Sequence, residues 1–219
     1  MIKCCIFDLD GTILDTIGTI THFVNGAITR YGVEPITVDE CKYFAGNGAR
    51  KLIVRALTSR GFTDPALTEK ILSEYNAAYD ADPLYMTGVF DGVSEALLAL
   101  KSDGLRLAVL SNKPDPTVKQ IVAGFFPGIF DFALGGREGV PLKPDPTAAL
   151  DILAELGFTP DECAWVGDTS TDIETGKNLG ASLSVGVLWG FRKREELVGA
   201  GADKVVGTAD ELLEAIRVG

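Results

Sequence analysis

Five short apolar runs, at residues 3–7, 106–110, 130–134, 163–166 and 183–188, constrain the fold more than any other feature of this chain. Each is rich in Val, Ile, Leu, Phe or Cys, and none alternates cleanly with polar residues. A run without alternation suits a strand buried on both faces, which is the condition of a parallel sheet covered by helices. Helical patterns lie between the later runs. Residues 146–156 set Ala149, Leu150, Leu153 and Leu156 on one face. Thr171 with Glu174, and Thr208 with Glu211, have the spacing of a capping box at a helix start. Gly157 and Gly180 stand where helices stop. This alternation predicts an α/β fold on a doubly wound parallel sheet.

One interval breaks the alternation. Between residues 16 and 84 no buried strand pattern occurs, and helical patterns at 18–31, 49–59 and 66–79 take its place. The expectation is a small helical cap domain, 16–84, inserted after the first strand into a core formed by 1–15 and 85–219. Asp15 would then sit in the hinge. A chain of 219 residues has room for one domain carrying a smaller one. Its 46% hydrophobic and 23% charged residues are those of a folded chain.

Charge and residue counts exclude several classes. A net charge of −11 speaks against nucleic acid or an anionic membrane as partner. No stretch reaches the ~18 apolar residues of a spanning helix. The start of the chain lacks a signal-peptide pattern, so a cytoplasmic location is expected. His22 is the single histidine, which rules out His-rich metal sites and leaves a Ser-His-Asp triad one candidate. Beside Phe23 on the first cap helix, His22 is expected to pack or face solvent. Cys4, Cys5, Cys41 and Cys163 form no Cys-x-x-Cys pair, so they are expected to be structural in a reducing compartment.

In open α/β sheets, sites form at the carboxyl ends of strands. The first run ends Phe7-Asp8-Leu9-Asp10-Gly11-Thr12, the second Leu110-Ser111-Asn112-Lys113 and the fourth Val166-Gly167-Asp168. Lys143 lies in Pro141-Leu142-Lys143-Pro144. Residues i and i+2 of a strand point to one side, so Asp8 and Asp10 would share a cleft while Leu9 enters the core. With Asp168 added, these carboxylates cannot all ionise cheaply without a nearby cation. Oxygen-only donors suit Mg²⁺. Asp-x-Asp alone also fits solvated strand-end aspartates; Gly11-Thr12 directly after an apolar strand makes the motif far more specific. Asp172 alone fits a first-turn helix aspartate favoured by the macrodipole.

Together these segments resemble the haloacid dehalogenase superfamily, specifically its phosphatases. Asp8-Leu9-Asp10-Gly11-Thr12 matches the family's first motif, Ser111 the second and Lys143-Pro144 the third. Gly167-Asp168-Thr169-Ser170-Thr171-Asp172 matches the fourth. They occur in the family's order over nearly the whole chain, and the helical insertion matches its cap. The resemblance implies a Rossmann-like core and a Mg²⁺-dependent phosphatase in which Asp8 forms an aspartyl-phosphate. Asp10 would be general acid and then base. Asp8, the Asp10 carbonyl and Asp168 would hold the metal. Lys143 would neutralise the transferring group, with Ser111 and amides near Leu9 and Asn112 holding phosphate oxygens. Thr12 would orient Asp10, and Asp172 would orient Lys143 or a metal-bound water. Family dehalogenases lack an acid where this chain has Asp10, which favours phosphoryl transfer.

The segment 44–52 resembles the specificity loop of the family's phosphoglycolate phosphatases. This implies that Gly46, Asn47, Arg50 and Lys51 contact substrate; a solvated helix face is the alternative for Arg50 and Lys51. Trp189-Gly190-Phe191 resembles the same subgroup, with Trp189 expected to pack. The implied partner is a small phosphorylated metabolite, 2-phosphoglycolate first; with no apolar patch readable in the sequence, a monomer is the default expectation and a dimer is left open. Alternatives are a β-phosphoglucomutase-like or pyrophosphatase-like enzyme, or a phosphonate hydrolase using Lys42 or Lys51. Non-enzymatic readings are a phospho-receiver domain, which would lack the insertion, and a silent binding protein.

Overall fold

The computed structural model describes residues 1–219, which divide into two compact units. One comprises Met1–Asp15 and Gly88–Gly219, the other Thr16–Thr87. Along the chain, β1 (Cys4–Phe7) and β2 (Leu14–Asp15) precede four helices: α1 (Ile17–Ile28), α2 (Val38–Phe44), α3 (Ala49–Thr58) and α4 (Pro65–Ala81). Then come β3 (Gly88–Val89), α5 (Val93–Ser102), β4 (Arg106–Pro114), α6 (Asp115–Phe125), β5 (Phe132–Gly136) and α7 (Thr147–Leu156). The chain ends with β6 (Cys163–Gly167), α8 (Ser170–Leu179), β7 (Leu183–Val187), α9 (Arg194–Gly199), β8 (Lys204–Val206) and α10 (Ala209–Arg217).

The larger unit is built on a parallel sheet of order β5-β4-β1-β6-β7-β8. From β1 the chain works outward through β4 to β5, then crosses to β6 and works outward to β8. The order therefore reverses beside β1, and open sheets bind ligands in the crevice at such a reversal. Phe7 pairs with Val109 on one side and Val166 on the other, so three polar strand ends lie at nearly one level. One face packs Cys4, Ile6, Ala108, Leu110, Cys163 and Trp165 against Ala149 and Ile152 of α7. Each large apolar side chain closed in this way contributes about 1.5–3 kcal/mol.

Several local expectations need correction. The sheet has six strands, because β8 adds three residues of which only Val206 is buried. So short an edge strand leaves no apolar run to read. The second strand extends past the run through Ser111, Asn112 and Lys113 to Pro114. The third strand falls at Phe132–Gly136, two residues later than the run. Helix α7 buries Ala148, Ala149, Ile152 and Leu153, whereas Leu150 is 46% exposed. Leu150 stands about 100° around the helix from Ala149, which takes it off the buried stripe. Helix α8 is capped by Thr169, not Thr171: Asp172 Oδ2 accepts bonds from Thr169 N at 3.0 Å and from its hydroxyl at 2.6 Å. Thr208 does cap α10, but Glu211 reaches back to Gly207 N rather than to Thr208. Gly157 and Gly180 end α7 and α8 in the left-handed conformation.

In the smaller unit α1 packs on α4 and α2, and α3 packs on α2 and α4. Val24, Ile28, Ile53 and Ile71 are fully closed inside it. Thr37 and Glu40 bond reciprocally at the start of α2. No helix in either unit is long and apolar enough to cross a membrane.

Candidate active site

The site begins where β1 ends. Asp8 N donates to Val166 O at 2.9 Å, fixing the carboxylate beside β6. At Gly11 the backbone takes φ +82°, and Gly11 N donates to Leu14 O at 2.8 Å as the chain turns into β2. Only glycine fits there: a Cβ would collide with the Asp168 carboxylate. Strand β2 then pairs antiparallel with β3, Asp15 opposite Gly88, so the unit's two boundary segments run side by side.

Lys143 lies at the centre of the charged groups. Its Nζ donates to Asp8 Oδ1 at 2.5 Å and to Asp172 Oδ1 at 2.7 Å. All three side chains are closed off from solvent. Burial lowers Lys143, but Asp172 and Asp8 more than offset it and hold the ammonium above the ordinary lysine range. Burial, then the charge of Asp172, pushes Asp8 up to about 7 against the opposing pull of Lys143. Asp168 is raised well above the ordinary carboxylate range by burial, then by Asp172 and Asp8; the Phe191 amide and Arg192 oppose this.

Asp168 is gripped from two sides. Its Oδ1 accepts from the Thr12 hydroxyl at 3.2 Å, and its Oδ2 from Phe191 N at 2.7 Å. This corrects the expectation that Thr12 orients Asp10: the turn at Gly11 brings the Thr12 hydroxyl toward the end of β6 instead. The segment after β7 closes over the same carboxylate. A side chain at Gly190 would strike Gly11 O and Asp168, and Trp189 Nε1 donates to Thr12 O at 2.9 Å. Trp189 therefore packs as expected, with its ring 6.4 Å from that of Phe90. The Phe191 amide contact was not legible in the sequence, since no side-chain pattern marks it.

On the other flank, β4 delivers Ser111, Asn112 and Lys113. Ser111 is 3% exposed, and its hydroxyl accepts from Lys113 N at 3.2 Å. The Asn112 side chain bonds the backbone of Lys143 twice, accepting from N at 2.9 Å and donating to O at 3.4 Å. Its side-chain amide is thus a clamp on Lys143. Lys113, to which no sequence motif assigns a role, donates to Asp10 Oδ1 at 2.7 Å. The available signal was a lone cation two residues past Ser111 at a strand end.

Asp8, Asp168 and Asp172 each offer an oxygen, and these atoms all lie within 4.8 Å of one another. An all-oxygen, closed, anionic cluster fits a hard divalent cation such as Mg²⁺. Both Asp172 oxygens already serve Lys143 and Thr169. Asp172 thus ties the Lys143 ammonium into the cluster, to which Asp8 and Asp168 contribute the other two carboxylates.

The expected substrate residues belong to the other unit. Gly46 and Gly48 have φ +103° and +87°, and α3 starts at Ala49 without a side-chain cap. Asn47 lies between the two glycines, and Lys51 is exposed. Arg50 pairs with Glu69 at 2.5 Å, their side chains 61% and 51% exposed.

The family model for haloacid dehalogenase-like hydrolases matches residues 2–180. A phosphoglycolate phosphatase of Colwellia psychrerythraea is 30% identical over 217 residues, spanning 97% of this chain and 96% of that protein. One from Cereibacter sphaeroides is 36% identical over 182 residues, spanning 82% and 83%. The crystal structure of a Lactobacillus delbrueckii subsp. bulgaricus protein superposes with a TM-score of 0.93 at 34% identity, covering 98% of each chain.

Proposed function

The chain belongs to the haloacid dehalogenase-like hydrolases, and on that footing we propose a Mg²⁺-dependent phosphatase that hydrolyses a small phosphorylated metabolite, 2-phosphoglycolate first, through an aspartyl-phosphate on Asp8. The observation that carries this reading is the Lys143 ammonium bound to Asp8 at 2.5 Å beside the buried Asp168. A nucleophile for an anionic substrate needs positive charge at the same place, and Lys143 supplies it from a fixed position.

In the first half-reaction an Asp8 oxygen bonds to phosphorus as the ester O–P bond breaks, and Asp10 gives its proton to the departing oxygen. In the second, water bonds to phosphorus as the Asp8 O–P bond breaks, and Asp10 takes the water's proton. The Ser111 hydroxyl and nearby amides bind phosphate oxygens, while Asn112 and Asp172 hold Lys143 in line. A Mg²⁺ held by Asp8, Asp168 and the Asp10 carbonyl would supply charge neutralisation between the anionic nucleophile and substrate. Substrate choice is assigned to Gly46, Asn47, Arg50 and Lys51; the likeness to phosphoglycolate phosphatases supports this.

The test is phosphate release from 2-phosphoglycolate and from p-nitrophenyl phosphate, with and without EDTA, for the parent protein and Asp8→Asn. Metal-dependent release that falls by at least about 10³-fold in the variant is the expected result. Release that is indifferent to EDTA, or that survives Asp8→Asn, would overturn the reading.

A further inference from the structure

The two aspartates of the first motif do not share a lysine. Asp8 belongs to Lys143, whereas Asp10 Oδ1 is held by Lys113 Nζ at 2.7 Å. The Lys113 and Asp10 side chains are only 12% and 15% exposed, so this pair is largely out of solvent. It joins positions 103 apart and exists because β1 and β4 run parallel in register from Phe7 and Val109. Lys113 is itself seated, its amide bonded to the Ser111 hydroxyl.

Asp10 needs such an anchor. Its charge is among those that push Asp8 upward, so the two carboxylates feel one another. Repulsion from Asp8 favours turning the Asp10 carboxylate away on its two side-chain torsions. Proton transfer to an ester oxygen, and later from water, needs the carboxylate within hydrogen-bond reach in both half-reactions. A misplacement of about 1 Å can cost on the order of 10²-fold.

We propose that Lys113 is a positioning residue for proton transfer, holding the Asp10 carboxylate where it serves first the leaving oxygen and then the attacking water. The assignment rests on the phosphatase reading above and deepens it. Lys113 touches no reacting atom in this scheme; it acts through Asp10.

The experiment compares Lys113→Met and Lys113→Arg with the parent protein in stopped-flow and steady-state assays, with thermal melts alongside. Lys113→Gln replaces the Met variant if that variant does not fold. With p-nitrophenyl phosphate the leaving phenolate departs without a proton, so the first half-reaction does not need Asp10. In Lys113→Met, the initial release of p-nitrophenol should keep its parent rate while steady-state kcat falls by roughly 10- to 100-fold. A burst of about one equivalent then appears as the aspartyl-phosphate accumulates. With 2-phosphoglycolate, kcat falls with no burst, because the first half-reaction now needs the acid. Lys113→Arg restores much of the loss.

A steady-state kcat within about twofold of the parent overturns the proposal, as does equal slowing of burst and steady state. A rise in KM alone also overturns it and makes Lys113 a substrate-binding cation instead. If the parent protein shows no Asp8-dependent turnover, the phosphatase reading itself fails, and that result is distinct from every outcome for Lys113.

Discussion

Lys143 in the sheet unit and Arg50 in the helical unit each meet a carboxylate at 2.5 Å, Asp8 and Glu69 respectively. The side chains of the first pair are 3% and 9% exposed, and those of the second 61% and 51%. Identical distances therefore describe different physics. The Lys143 pair has lost its water, so its geometry has to offset a desolvation cost of several kcal/mol per ion, and a second carboxylate, Asp172, joins it. Water screens the Arg50 pair and keeps it near the 0–1 kcal/mol of a surface bridge. Charge kept dry at the end of a sheet marks chemistry, and charge kept wet on a helix marks solubility or a contact with ligand.

Removing the buried cation gives the largest expected effect. Lys143→Met strands Asp8 and Asp172 in a closed site and should cost about 3–5 kcal/mol at pH 7.5, with turnover abolished. The loss should shrink at pH 5, because Asp8, pushed up to about 7, already carries its proton there. Urea melts at the two pH values measure both numbers. A Lys143→Met protein as stable as the parent at pH 7.5 would mean that these charges are not desolvated together.

Adding a divalent ion should act on the same cluster with the opposite sign. The fold raises Asp8 from 3.8 to about 7, so it binds the proton more tightly than the unfolded chain does. The stability Asp8 contributes is thus full below 3.8 and is lost as pH rises through about 7. Asp168, also raised, adds to this loss. Mg²⁺ replaces those protons, so its stabilisation should be near zero at pH 5.5 and grow by pH 8. At a hundredfold excess over Kd it approaches about 2.7 kcal/mol. Melts in Mg²⁺ and in EDTA give the difference, and equal stabilisation at both pH values would detach the ion from these carboxylates.

Asp8, Asp10 and Asp168 were legible because each ends a continuous apolar run, and a parallel sheet brings such ends to one edge. Gly157 and Gly180 were legible because helix ends select glycine locally. Three contacts were not: Lys113 on Asp10, Thr12 on Asp168, and Asn112 on the Lys143 backbone. All three are side chains choosing partners on distant segments of the chain, and the choice depends on strand register and on the turn at Gly11. A period of apolar residues carries neither. Leu150 failed for a related reason. The heptad-like spacing of α7 admits two neighbouring faces, and packing against β4 and β5 selects the one with the smaller Ala148. The edge strand β8 escaped because three residues are too few to show a period.

The wet pair carries the smallest effect and the sharpest question. Arg50→Ala removes a bridge that water already weakens, so stability should move by no more than about 0.5 kcal/mol. If Arg50 reads the substrate's carboxylate, KM for 2-phosphoglycolate should rise about tenfold while KM for p-nitrophenyl phosphate stays put, since an aryl ester offers nothing for a guanidinium to pair with. Glu69→Gln separates the two roles. It breaks the same bridge but leaves the cation in place, so it should match Arg50→Ala in stability and the parent in KM. Should both variants keep the parent's KM for both esters, Arg50 belongs to the solvated face of α3, and discrimination between leaving groups has to be sought at other residues.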